Sequence, residues 1–204
     1  YFDRITRPEQ IISSLQQAIQ IMLDPADCGP ACISLSQDVQ GEVFEYPEEF
    51  FKERIHTIRR PKPDDFQIKE AAEIIKKSKK PIIIAGGGIF YSDATEELST
   101  FATKHNIPVT QTVMGYSSIK KDHSHYLGTI GGLGGKAANN LSKETDTAIA
   151  IGTKLADFTT GSWANFENSE FRLVSINAAR FDANKHMAQA IVGDAKVSLV
   201  ELSQ

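Results

Sequence analysis

Glycine is the residue type whose spacing in this chain could do chemistry, and the chemistry would be holding a phosphate on backbone amides. Gly86-Gly87-Gly88 follows the apolar run Pro81-Ile82-Ile83-Ile84-Ala85, and Gly131-Gly132-Leu133-Gly134-Gly135 precedes Lys136-Ala137-Ala138-Asn139-Asn140. A buried strand that runs into glycines and then a helix is how open α/β sheets build a ligand crevice at the carboxyl ends of their strands. A dinucleotide fingerprint needs G-x-G-x-x-G. Gly86 and Gly88 supply two of its glycines, and Tyr91 stands at the third. The cofactor-binding candidates are therefore Gly86, Gly87, Gly88, Gly131, Gly132, Gly152 and Thr153, with a purely structural turn as the competing reading. Gly135-Lys136 invites comparison with a P-loop, which requires a glycine five positions before the G-K pair and Ser or Thr after it. Ile130 and Ala137 hold those places, so that reading fails.

Other reactive side chains are sparse. Cys28-Gly29-Pro30-Ala31-Cys32 has one residue too many for the redox box, which sets its thiols across two intervening positions at a helix start. Cys32 is expected to open a strand as a small buried hydrophobe. His123-Ser124-His125 offers two imidazoles but no further ligands at zinc spacing; exposed loop histidines are the expectation. Asp157 and Asp182 fall after expected strands, near the mouth of a crevice. Asp64-Asp65, Glu96-Glu97 and Lys76-Lys77-Ser78-Lys79-Lys80 read as solvated helix faces and ends. No Ser-His-Asp or Cys-His set can be assembled, and no catalytic or metal-ligating residue is assigned.

The elements that would position these residues alternate from residue 66 onward. A helix over 67–77 leads to a strand over 81–85, then a helix over 94–104 and a strand over 108–112. A helix over 136–141 precedes a strand over 147–151, another strand follows at 171–176, and 192–202 adds a last strand and short helix. Near-continuous apolar strands between helices imply a parallel sheet covered on both faces, an α/β fold. Residues 1–47 read as one helix, opened by Pro8 and stopped at Asp24-Pro25, and one strand over 31–35. Proline and charge mark 48–65 as a linker.

The 204 residues carry a net charge of −4 with both signs interspersed, so nucleic acid is not an expected partner. No apolar run approaches the ~18 residues that span a membrane. Two cysteines imply no disulfide framework, and a reducing, cytoplasmic location is expected. The chain opens Tyr1-Phe2-Asp3-Arg4, already patterned and without an initiator Met, and is expected to be a piece of a longer protein.

Gly86-Gly87-Gly88, Pro108-Val109, Met114-Gly115, His123, Gly128, Gly131, Ala138-Asn139, Gly152-Thr153-Lys154 and Gly193-Asp194 resemble the central domain of thiamine-diphosphate enzymes of the acetolactate synthase type. The resemblance spans 66–204. It implies a Rossmann-like, FAD/NAD-binding-like domain, with 1–47 as the end of the pyrimidine-binding domain. Arg7-Pro8-Glu9-Gln10, Gln37-Asp38-Val39-Gln40, Tyr46-Pro47, Arg59-Arg60-Pro61, Asp157-Phe158-Thr159-Thr160-Gly161-Ser162 and Phe181-Asp182-Ala183-Asn184-Lys185-His186 are similar, more narrowly, to the bacterial trihydroxycyclohexanedione hydrolases of myo-inositol catabolism. That family opens a cyclic dione by hydrolysing a carbon–carbon bond with thiamine diphosphate and magnesium. An upstream glutamate and a downstream Gly-Asp-Gly…Asn segment serve the cofactor there, so the resemblance implies that both cofactors bind outside this chain.

Relatives that hold FAD in this domain carry an Arg where Phe158 stands and two acids where Asn177 and Ala179 stand. An acid at a strand end grips a ribose hydroxyl and an Arg suits a phosphate; FAD is therefore not expected. The expected role is structural, with no activity for the chain alone. The alternative is an acetolactate-synthase-like domain that takes FAD or another nucleotide in its crevice. The expected partners are the remaining domains of the same polypeptide and further copies in a homo-oligomer. The stripe Ile11, Leu15, Ile19, Met22 is expected to dock or to pair with a second copy, through contacts centred on 8–36.

Overall fold

The computed structural model describes residues 1–204, which form two compact units, Tyr1–Arg59 and Arg60–Gln204. In the first, β1 (Phe2–Ile5) and β2 (Cys32–Leu35) pair in parallel, Phe2 opposite Cys32 and Ile5 opposite Leu35, and α1 (Ile11–Leu23) connects them. Pro8 opens a single tight turn ahead of α1, where the Gln10 side chain accepts the N–H groups of Thr6 and Arg7 at 2.7 and 2.9 Å. The helix ends where Asp24 turns extended, and the Asp24 carboxylate accepts the N–H groups of Ala26 and Asp27. Small residues, Ser14 and Ala18, form its buried face, while Leu15 and Met22 stay exposed.

Two expectations change here. The opening residues form a strand that periodicity does not signal, because Asp3 and Arg4 fill the middle of a four-residue element. Cys32 is exposed rather than buried, since a two-stranded sheet has little to cover its ends. Within 48–65, residues Glu48–Phe51 coil into one tight turn, where Tyr46 stacks on Phe50 with ring centroids 5.5 Å apart.

The second unit is a six-stranded, wholly parallel sheet in the order β5-β4-β3-β6-β7-β8. Its strands are β3 (Pro81–Ala85), β4 (Val109–Gln111), β5 (Tyr126–Thr129), β6 (Thr147–Ile151), β7 (Arg172–Asn177) and β8 (Gln189–Val192). The two central strands are buried almost end to end, as their unbroken apolar runs require. On one face α2 (Asp65–Lys77), α4 (Thr95–His105) and α8 (Ala195–Leu202) bury Ala71, Leu98, Phe101 and Leu199 against Ile83, Ile149 and Val174. On the other, Ala138 of α5 (Lys136–Glu144) packs with Ile82, Ile84, Ala148 and Ala150. Three one-turn helices, α3 (Gly88–Tyr91), α6 (Asp157–Thr160) and α7 (Arg180–Ala183), follow strand ends.

Strand β5 lies outside the elements expected from sequence. It is an edge strand, its pairing to β4 slips between Val109 and Thr110, and Gly128 within it has φ +93°. A bulge next to a glycine breaks the alternation by which a strand is read. β8 begins at Gln189 rather than at 192, hidden because Lys185-His186-Met187 reads as surface turn. Residues 60–63 belong to the second unit rather than to a free tether. Arg60 pairs with buried Asp194 at 3.1 Å, and the Asp194 N–H donates to the Pro61 carbonyl at 2.8 Å.

Candidate functional site

The chain leaves β3 toward β4 on one side and returns to β6 on the other, so the sheet reverses its order between β3 and β6. Such a reversal splays the loops that follow the two strands and usually opens the ligand crevice. Gly86, Gly87 and Gly88 leave β3 at this point, and Gly152 and Thr153 leave β6 opposite them. The structure therefore brings these five candidates together at the switch point.

What it brings together is backbone against backbone. A Cβ on Gly86 would lie 2.3 Å from the Gly152 carbonyl oxygen, and one on Gly88 would lie 2.5 Å from the Gly152 Cα. Gly152 itself sits at φ +60°. The glycines close the crevice on each other. Their amides are engaged in doing so: Gly86 N–H donates to the Ile151 carbonyl at 2.8 Å, Gly88 N–H to Gly152 at 2.9 Å, and Gly152 N–H to Ile176 at 2.8 Å. The Thr153 hydroxyl accepts the Leu155 N–H at 3.3 Å, and its carbonyl accepts from the Asn177 side chain at 3.3 Å.

Gly131 and Gly132 form a second turn, after β5. Gly131 (φ +99°) is held by Asn139, whose Oδ1 accepts its N–H at 2.9 Å and whose Nδ2 donates to its carbonyl at 3.0 Å. Gly132 N–H donates to the Phe158 carbonyl at 2.9 Å, and a Cβ there would meet the Phe158 ring at 3.3 Å. Gly134 and Gly135 amides donate to Gly131 and Thr129. The amides of Gly87 and Thr153 have no protein acceptor, but they stand on opposite loops. A phosphate cradle needs several converging donors, and this edge of the sheet has given most of its donors to itself.

The remaining candidates do not add a reactive group. Asp182 is paired to Lys185 at 2.5 Å and to Lys154 at 3.8 Å, so its carboxylate is held by two cations. Asp157 opens α6 and is exposed. His123 and His125 are half-buried, not exposed as expected: their rings lie 5.5 Å apart, and His125 Nε2 meets Asn106 Oδ1 at 2.9 Å. No group of three His, Cys, Asp or Glu side chains converges on a point where a metal ion could sit.

Two polar residues matter more than the sequence signals. In the sequence Asn139 is only one member of a motif; its pair of hydrogen bonds with Gly131 forms only once α5 packs beside β5. Asp146 lies before β6 and accepts from the Ser78 hydroxyl and from the N–H groups of Lys79 (2.8 Å) and Lys80 (3.2 Å), which tie the start of β6 to the start of β3. Burial pushes its carboxyl up, but those donors outweigh burial and hold it below the ordinary aspartate range. Both features join residues far apart in sequence, which no local pattern records.

An open parallel sheet whose order reverses between β3 and β6, with helices on both faces, defines a Rossmann-like α/β domain. The family described as thiamine pyrophosphate enzyme, central domain, matches residues 68–202, and the chain belongs to that family. More particularly, it is 48% identical over 99% of its length to the 3D-(3,5/4)-trihydroxycyclohexane-1,2-dione hydrolase of Clostridium perfringens (strain 13 / Type A), and 45% identical over 99% to the hydrolase of that name from Bacillus thuringiensis (strain Al Hakam). The chain spans about a third of the length of these relatives, 32% and 31%. Among solved structures, a putative thiamin diphosphate-dependent enzyme from Mycobacterium smegmatis superposes with a TM-score of 0.75 at 20% identity, over 99% of this chain and 38% of that one. Benzoylformate decarboxylase from Polynucleobacter necessarius gives 0.74 at 21%, over 98% and 37%. These two likenesses speak for the fold.

Proposed function

We propose that this chain serves as part of a thiamine-diphosphate-dependent hydrolase that opens the ring of 3D-(3,5/4)-trihydroxycyclohexane-1,2-dione in inositol catabolism. The observation that carries the reading is the 48% identity maintained along 99% of the chain to the Clostridium perfringens hydrolase. Breaking a carbon–carbon bond beside a carbonyl leaves a carbanion, and thiamine diphosphate supplies the electron sink for it when bound. Residues of this chain do not fit that cofactor or its magnesium: most crevice amides are engaged, the two that are not stand on opposite loops, and no carboxylate cluster converges. In this reading the cofactor and metal bind in other parts of a longer polypeptide. In this reading the chain holds no FAD either, because Phe158, Asn177 and Ala179 replace the Arg and the two acids that the resemblance to FAD-holding relatives implies.

In this reading residues 66–204 are the central domain, 1–47 close the pyrimidine-binding domain, and 48–65 link them. The central domain is a scaffold, and the protein works as a cytoplasmic homo-oligomer. No helix is long and apolar enough to cross a membrane. The experiment is a replacement. A Clostridium perfringens hydrolase in which this chain takes the place of the matching third is assayed for ring opening with thiamine diphosphate and magnesium. Ring opening is expected there and absent from the 204-residue chain alone. A folded, cofactor-binding chimaera without ring opening, or activity in the chain alone, contradicts the assignment.

A further inference from the structure

The segments that leave β3, β4 and β5 begin without charge: residues 86–92, 112–119 and 129–135 hold none, and Asp93 and Lys120-Lys121-Asp122 come only further along the first two connections, in a chain 24% charged. These strands are neighbours, so their loops form one half of the carboxyl edge of the sheet. The first two loops abut, since a Cβ on Gly115 would lie 2.2 Å from the Ala85 carbonyl and one on Gly87 would lie 3.3 Å from that of Met114. Large apolar side chains nevertheless point to solvent from all three: Tyr91 is 78% exposed, Met114 75% and Leu133 71%, with Phe90, Val113 and Tyr116 exposed beside them. The other half of the edge, after β6 and β7, carries Lys154, Asp157, Arg180 and Asp182. Lys121, with Nζ 5.1 Å from the Tyr116 ring centroid, marks the rim of the uncharged half.

A loop surface meant for water carries charge. The core of a contact surface loses Lys, Asp and Glu and gains Tyr, Phe and Met. A nucleotide is a poor occupant, because most of the amides beneath, Gly86, Gly88, Gly131, Gly132, Gly134 and Gly135 among them, are engaged. We infer that this uncharged half of the carboxyl edge is a docking surface for another part of the same polypeptide, lying outside residues 1–204. The occupant follows from length: 99% of this chain matches only 32% of the Clostridium perfringens relative, leaving two thirds of that polypeptide to pack elsewhere. Three adjoining loops with six exposed apolar side chains between them suit a broad protein surface rather than a single inserted peptide. The inference rests on the proposed reading of the chain as part of a longer enzyme.

Hydroxyl-radical footprinting tests it, because Tyr, Met and Leu side chains report their own exposure. The 204-residue chain is compared with the chimaera described above. Oxidation of Tyr91, Met114 and Leu133 is expected to slow several-fold in the chimaera, while Phe181 on the charged half, 79% exposed, keeps its rate. The triple variant Y91S/M114S/L133S is expected to fold as stably as the parent chain, because these side chains are exposed. Unchanged oxidation of all three in a folded chimaera overturns the inference. Protection that instead grows with concentration in the chain alone also overturns it, by assigning the face to a second copy. Should the chimaera not fold, the Clostridium perfringens hydrolase and its own matching segment give the same comparison. The readout is independent of ring opening, so an inactive chimaera with protected loops refutes the proposed substrate and leaves the docking surface standing.

Discussion

Gly152 carries more of the closure at the switch point than any other residue. Its φ of +60° disfavours a side chain, and a Cβ there would lie 2.5 Å from the Gly88 Cα, an overlap that only a shift of β3 or β6 could relieve. Left-handed strain of about 1–2 kcal/mol and overpacking of about 1–3 kcal/mol add, so Gly152→Ala should destabilise the second unit by ~3 kcal/mol or more. Gly135→Ala provides the contrast: its φ is −74° and nothing lies within 4 Å of the added methyl. That change should stay within about 1 kcal/mol. Urea unfolding of both variants checks the pair, and similar losses would mean that the crevice is not closed by backbone contact. The sequence marks Gly135 as part of a glycine run and Gly152 as the residue that ends a strand. It could not tell a glycine that makes room for a phosphate from one that makes room for another glycine, because both need the same missing Cβ.

At the scale of elements, the strand starts are tied by Asp146 and the strand ends by the glycines. The Asp146 carboxyl sits below its ordinary value of 3.8, so the folded state binds its proton less readily than the unfolded state does. The stability it contributes is complete above about pH 4 and is lost as pH falls through the lower folded value. Asp146→Asn should therefore lose less stability than the parent between pH 4 and pH 3, by urea unfolding at each pH; parallel losses would remove Asp146 from the account. The helix α1 leads to a second expectation. Leu15 and Met22 are exposed on it, and burying such side chains is worth ~1.5–3 kcal/mol each. We expect the whole chain to self-associate through residues 8–36, and light scattering against a chain starting at Phe66 checks this; equal association states would contradict it. Strands β3 and β6 were legible in the sequence to the residue, because five consecutive apolar or small residues between polar turns leave little choice. Strands β1 and β5 were not: one is four residues with two charges, the other an edge with a bulge beside Gly128.

For the molecule as a whole, family membership was legible because motif residues are scattered from Gly86 to Asp194. The state of the site was not, since it depends on which amide faces which carbonyl across the switch point. The chain has the sheet order of a nucleotide-binding domain and uses its switch-point glycines for packing. The most direct test is thermal unfolding of the 204-residue chain with ADP, FAD or NAD. A ligand at a hundred times its dissociation constant adds ~2.7 kcal/mol to stability, well within reach of the measurement. The account predicts no change in Tm with any of the three at millimolar concentration. A saturable rise with any one of them would show that the crevice opens to take a nucleotide, and would contradict it.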